Sequence, residues 1–171
     1  MSDLPSRTRV VIVGAGVIGL SVARHLAGLG ETKVLVLERE SMPGTGSSAA
    51  SAGGIRQQFA EEANVRYAME GAAQIRRLEA ETGFDPVFRE HGYLLLARAP
   101  ESLARLEKDA ALQRRLGLDT EILPPAEVAA RYPVLHTDDL AGAAFLGTDG
   151  YMEPHALLTG FERFARKAGV A

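Results

Sequence analysis

Short apolar runs at residues 10–13 and 33–37 alternate along this chain with longer stretches in which apolar residues recur every three or four positions. The runs predict buried strands and the spaced stripes predict amphipathic helices. Leu20, Val22, Ala23, Leu26 and Ala27 give a mostly apolar helix between the two runs, ending near Gly28 and Gly30, so the opening segment reads as a β-α-β unit. Residues 41–54 are nearly all small, which predicts a loop. Residues 61–81 predict a helix with Val65, Met69, Ala72, Ile75 and Leu78 on one face, stopped by Gly83. Residues 86–89 and 92–97 predict two short strands forming a hairpin about His91 and Gly92. Pro100 and Gly117 bracket a second amphipathic helix, with Leu103, Leu106, Ala110 and Leu116 inward. A strand at 121–123, a short helix at 125–131, a strand at 140–146 with a turn at 148–150, and a helix from Pro154 to Lys167 capped by Gly169 complete the pattern. Val170 and Ala171 read as the first step of a further strand, so the fold is expected to be incomplete within these residues. No internal repeat is visible.

The expected class is α/β. A partial Rossmann-like, doubly wound sheet occupies residues 1–82, a small α+β excursion 83–150, and 151–171 form a helix returning to the first domain. The sequence of the first turn, Gly14-Ala15-Gly16-Val17-Ile18-Gly19, has chemical content of its own. Gly14 permits the tight strand-to-helix turn, Gly16 lets a pyrophosphate approach the backbone, and Gly19 allows close helix–strand packing. A helix N-terminus then meets the anion. Glu38 closes the second apolar run about 20 residues later, where an acidic side chain accepts hydrogen bonds from a ribose 2′-hydroxyl. Its charge disfavours a 2′-phosphate and hence NADP. Arg39 beside it suits a 2′-phosphate less well than solvent, given that acid. A dinucleotide is therefore the expected cofactor class, with NAD and FAD both open on these residues. The bland alternative is a tight βα turn followed by a solvated glutamate.

The remaining composition mainly excludes. The 171 residues, 46% hydrophobic, suffice for one good core. A formal net charge of −3 offers no basic field for nucleic acid. There is no cysteine, which rules out disulfides, thiolate metal sites and a CxxC redox pair and is consistent with a cytoplasmic location. No apolar run reaches the roughly 18 to 20 residues of a membrane span. The stretch Gly-Thr-Gly-Ser-Ser at 44–48 lacks the Gly-Lys-Ser/Thr ending of a triphosphate loop, and Ser47 and Ser48 lie in no nucleophile elbow.

With GAGVIG and Glu38, three further segments carry a resemblance: GSSAASAGGIRQQF at 46–59, HGYLLLA at 91–97 and DGYMEPHALL at 149–158. The chain resembles the N-terminal part of FAD-dependent amine and amino-acid oxidoreductases, the D-amino-acid oxidase, glycine oxidase and sarcosine oxidase group. The resemblance implies FAD as cofactor. Gly14, Gly16, Val17, Ile18, Gly19, Glu38 and Arg39 would hold its adenosine diphosphate half. Ser47, Ser48, Ala49, Gly53, Gly54 and Ile55 would lie along the pyrophosphate, ribityl chain and ring. Arg56 falls where sarcosine-oxidase-like members grip a substrate carboxylate; pairing with a neighbouring acid is the plainer alternative. The implied reaction is oxidation of a C–N bond in a small amine or amino acid by hydride transfer to flavin. Two other readings stand beside it: an NAD-dependent dehydrogenase, and a non-catalytic cofactor-binding or assembly subunit requiring a partner chain or a missing C-terminal half. His25, His91, His136 and His155 have ordinary helix, turn or loop explanations and receive no catalytic role. Tyr93 and Tyr151 are expected in the core.

Overall fold

A computed structural model describes residues 4–171. In chain order its elements are β1 (Val10–Val13), α1 (Val17–Gly28), β2 (Val34–Leu37), β3 (Gly54–Ile55), α2 (Glu62–Thr82) and β4 (Tyr93–Ala97). Then follow α3 (Pro100–Arg115), β5 (Glu121–Leu123), α4 (Pro125–Arg131), β6 (Gly142–Leu146), β7 (Gly150–Tyr151) and α5 (Pro154–Lys167). The chain divides into two compact units, one of residues 4–54, 74–88 and 152–171, the other of 55–73 and 89–151. The divisions fall at 54/55, inside α2 at 73/74, and at 88/89 and 151/152, whereas the sequence pattern alone suggested 82/83 and 150/151. A long helix carries a single amphipathic signal along its whole length, so no local feature marks where its neighbours change.

In the first unit β1 and β2 run parallel, with Val10 opposite Val34 and Val13 opposite Leu37. The ladder continues on the other side of β2. Ala171 donates its N–H to the Val34 carbonyl at 3.1 Å, and Val36 donates to the Ala171 carbonyl at 2.8 Å, as in a parallel pair. The expected strand at 170–171 is therefore begun. Ala23 and Ala27 of α1, Val34, Ala165 of α5 and Val170 form one core. The small residues on both helices let α1 and α5 approach closely. A Cβ on Gly160 would stand 2.6 Å from Leu78 Cδ2, so α5 also meets α2 closely at this glycine. The Glu153 carboxylate caps α5, accepting from the N–H groups of His155 and Ala156 at 3.1 and 2.5 Å. Arg24 is buried, paired with Glu81, bonded to Gln74 at 3.2 Å and flanked by the rings of Phe161 and Phe164.

Strand β1 is not buried on both faces as its apolar run suggested. Val11 and Val13 are 51% and 85% exposed, and only the alternate residues turn inward.

In the second unit β4, β6 and β5 form an antiparallel sheet with β6 central, Tyr93 opposite Leu146 and Glu121 opposite Phe145. Leu123, Val128 and Ala143 make one cluster, and Val65, Leu118 and Leu146 another. The expected hairpin is not formed. Strand β4 pairs with β6, which lies some fifty residues on, and Arg89 instead bridges Tyr151. At Val87 the backbone takes a φ of +55°, which ends any extended run there. Gly92 has a φ of +81°, and a Cβ there would reach the Phe145 ring at 2.2 Å. The turn at His91 and Gly92 is thus fitted to a distant strand. Tyr151 is 48% exposed and its ring lies 5.9 Å from that of His91, so it is not a core residue.

Leu78→Ala removes a fully buried side chain packed on Gly160. Urea unfolding should show a loss of about 2–5 kcal/mol. A loss below about 1 kcal/mol would mean that this contact is not formed.

Candidate functional site

The first unit carries a cleft of about 630 Å³ around the turn from β1 to α1. Gly14 opens the turn with a φ of +100°, in the region that favours glycine. Gly19 sits where a Cβ would stand 1.9 Å from the Gly14 carbonyl oxygen, so the first helical turn presses directly on the strand end. At Gly16 a Cβ would come 3.3 Å from Ser48 Oγ. The tight turn at Gly14 and the close helix–strand contact at Gly19 are as the spacing predicts, and Gly16 lies against Ser48. The first intrahelical bond of α1 runs from Leu20 N–H to the Gly16 carbonyl, so the amides of Val17, Ile18 and Gly19 precede it at the positive end of the helix. The side chain of Gly16 can offer no cap. The loop supplies one instead: Ser48 Oγ accepts from Val17 N–H at 3.0 Å.

Glu38 reaches back into the turn. Its Oε2 accepts from Ala15 N–H at 2.7 Å and its Oε1 from Glu40 N–H at 3.0 Å. These bonds, that to Glu40 foremost, hold its carboxyl below the usual value, with Arg39 nearby adding to the effect. Each oxygen accepts a backbone N–H and retains capacity for a further hydrogen bond. Arg39 is directed to Glu40 at 3.0 Å and is largely solvated. Ile18, exposed at 76%, and the outward Val13 and Val22 give the cleft an apolar wall.

The cleft gathers Gly14, Gly16, Val17, Ile18, Gly19, Glu38, Arg39, Ser47 and Ser48. Residues that the sequence did not single out also line it, among them Glu40, Gly44, Thr45 and Gly46. Gly44 is buried because a Cβ there would strike Leu158 Cδ1 at 2.2 Å, which anchors the small-residue loop to α5. Ala49 and Gly53 lie farther along this loop and do not line the cleft. Gly53 has a packing reason of its own: its Cβ would meet the Met152 carbonyl at 2.0 Å. Gly54 and Ile55 form β3, and Ile55 and Arg56 belong to the second unit. There Arg56 is exposed, with its guanidinium 4.8 Å from the centre of the Phe59 ring, and it makes no ion pair among the described residues. The charge of Arg56 nonetheless favours the ionised form of the Asp149 carboxyl, without a direct ion pair between them.

Residues 9–171 match the family described as FAD dependent oxidoreductase. The chain belongs to that family. It is 36% identical, over 97% of its length, to FAD-dependent oxidoreductase domain-containing protein 1 of Bos taurus, and 31% identical over 97% to the mitochondrial sarcosine dehydrogenase of Homo sapiens. Among solved structures it is similar to L-proline dehydrogenase from P. horikoshii, with a TM-score of 0.89 and 32% identity over 98% of the chain. The chain spans 36% and 18% of those two curated relatives and 44% of the solved one. Membership settles the cofactor class that the glycine fingerprint left open, because the family is FAD-dependent; NAD is set aside. A glycine-lined cleft with helix amides on one side and a carboxylate on the other suits the adenosine diphosphate half of that cofactor.

Among the described residues there is no cluster of acidic and histidine side chains able to hold a metal ion, and no helix is long and apolar enough to cross a membrane. Of the histidines, His136 lies exposed beside Asp138 and Asp139 at 3.6 and 3.7 Å. One group that sequence reasoning missed is Asp149, read only as a turn residue. It is fully buried, and burial pushes its carboxyl up against the opposing effect of bonds from Gln58 and Gln57. A single Asp before Gly carries no local signal of such burial.

Since Glu38 has a lowered pKa, its contribution to stability is complete above the usual carboxylate value of 4.5 and is lost as pH falls through the lowered one. The advantage in melting temperature of the native chain over Glu38→Gln should therefore be constant at neutral pH and shrink in acid. A difference that does not vary with pH would remove the backbone clamp from Glu38.

Proposed function

We propose that this chain provides the cofactor cleft and a substrate-anchoring arginine of an enzyme that oxidises the C–N bond of a small amino acid or a secondary or tertiary amine. The observation that carries the reading is the cleft at the β1–α1 turn, whose glycines and Glu38 fit a dinucleotide, in a chain of an FAD-dependent family. When bound, FAD supplies the hydride acceptor for such an oxidation. The chain's own work is binding and placement. The amides of Ile18 and Gly19 and the hydroxyl groups of Ser47 and Ser48 would hold the pyrophosphate, and the remaining acceptor capacity of Glu38 would take the ribose hydroxyls. Ser48 has a double part, capping α1 and bordering the anion site.

In the second unit Arg56 carries the charge for a substrate carboxylate. A guanidinium stacked on an aromatic ring keeps its N–H edge in plane and available for two parallel bonds to a carboxylate. The named activities of the relatives, a sarcosine dehydrogenase and an L-proline dehydrogenase, concern amines that bear a carboxylate, and they support this substrate class. Turnover is proposed for the whole protein, since the chain spans less than half of these relatives.

The visible absorbance of the purified chain, after loading with FAD and removal of excess, is the direct test. A retained flavin band supports the reading, and a folded chain that retains none overturns it. Glu38→Ala should weaken FAD binding by about 1–3 kcal/mol, the cost of losing a charge-assisted hydrogen bond. In an active full-length protein, Arg56→Lys should raise the KM for a carboxylated amine far more than for an uncharged one; equal effects would return Arg56 to a structural role.

A further inference from the structure

Asp149 is fully buried, and the side-chain bonds that its carboxylate accepts come from the two glutamines that follow Arg56. Its Oδ1 accepts the backbone N–H of Gln57 at 2.7 Å and the Gln57 side-chain amide at 3.3 Å. Its Oδ2 accepts the Gln58 amide at 3.0 Å. Both glutamines are buried and held from further sides: Gln57 Nε2 donates to the Thr148 carbonyl and hydroxyl, and Gln58 Nε2 to the Tyr93 carbonyl. Burying a carboxylate is costly even when it is hydrogen-bonded. What it gains here is geometry, because two oxygens in one plane fix the backbone at 57 and the side chain at 58 together.

The fixed step lies between two residues that touch. Arg56 precedes it and Phe59 follows it, and the guanidinium lies over the ring. Phe59 is tied down on its far side, where its carbonyl accepts from Gln113 Nε2 at 3.1 Å and Gln113 Oε1 in turn accepts from Thr120 Oγ1 at 2.8 Å. Arg56 has no ion pair among the described residues to hold it. Its direction therefore depends on the backbone at 57 and 58, on the ring, and on the attraction between its charge and the Asp149 carboxyl.

We propose that Asp149 is a positioning residue for Arg56: by anchoring Gln57 and Gln58 it keeps the guanidinium face on Phe59 and leaves the N–H edge free for a carboxylate. This rests on the reading of Arg56 as a carboxylate-binding group. The variant to use is Asp149→Asn, which keeps the size and the Oδ1 acceptor but sets an amide N–H₂ against the N–H₂ of Gln58.

The experiment is NMR on the isotope-labelled chain, reading the ring-current shift of the Arg56 δ protons and the response of the amides of 56–59 to acetate, with acetamide as neutral control. Melting temperatures are taken in parallel. In Asp149→Asn the ring-current shift should fall by half or more and acetate affinity by about tenfold, equivalent to about 1.4 kcal/mol. Gln58→Met, which removes the Oδ2 partner and its bond to the Tyr93 carbonyl but leaves the Gln57 contacts, should move both in the same direction by less, and it serves if Asp149→Asn does not fold. A folded variant with a lower melting temperature but unchanged ring-current shift and acetate affinity overturns the proposal, since a merely structural carboxylate would behave in that way. Failure of the Arg56 reading shows separately, as an acetate response that survives in Arg56→Gln.

Discussion

The contact between the first turn of α1 and the end of β1 leaves no room for a side chain at Gly19, and the site is arranged around that approach. A methyl group there would overlap the Gly14 carbonyl oxygen. With the helix pressed on the strand, its leading amides converge at the mouth of the turn, and the loop after β2 lies close enough for Ser48 to cap Val17. Were the helix displaced outward, neither the cap nor the bond from Ala15 to Glu38 would keep its length. Steric exclusion at one Cβ thus sets the distances on which the polar contacts depend.

Those polar contacts are mostly to backbone. Glu38 binds two main-chain N–H groups, and Ser48 binds one. Groups held in this way are oriented before any ligand arrives, which lowers the ordering cost of binding. The carboxylate retains its charge at neutral pH because the donors that orient it also favour its ionised form. Membership of an FAD-dependent family gives this arrangement its chemical meaning, and the geometry gives the family assignment particular residues.

Buried polar anchors recur in both units. In the first, Arg24 joins α1 to Glu81 and Gln74 of α2 and lies against two rings of α5. In the second, Asp149 joins the segment after β3 to the turn before β7. Each links residues fifty or more positions apart. A buried charge is acceptable in such places because its partners offset much of the cost of burial, although Arg24 Nε and Gln58 Oε1 find no hydrogen-bond partner, and it is selective because few other arrangements would do the same.

The α1 and α5 helices, the β1–α1–β2 order and the acid after β2 were all readable in the sequence, since apolar period, glycine spacing and a charge at the strand end are local quantities. So were the glycines of the turn and the loop that brings Ser47 and Ser48 to the cleft, though not that Ala49 and Gly53 lie away from it. The partner of β4, the exposure of Val11 and Val13, the division of α2 between two units and the burial of Asp149 were not readable. Each is decided by a segment far away in the chain: β6 rather than 86–89 for β4, and Gln57 and Gln58 for Asp149. The sequence by itself determined the helices, the opening β1–α1–β2 unit and the suitability of the first turn for a dinucleotide, because those follow from neighbouring side chains. Only the tertiary structure decided which side chains lose water and where Arg56 is held, because desolvation and long-range pairing exist only once distant segments have met.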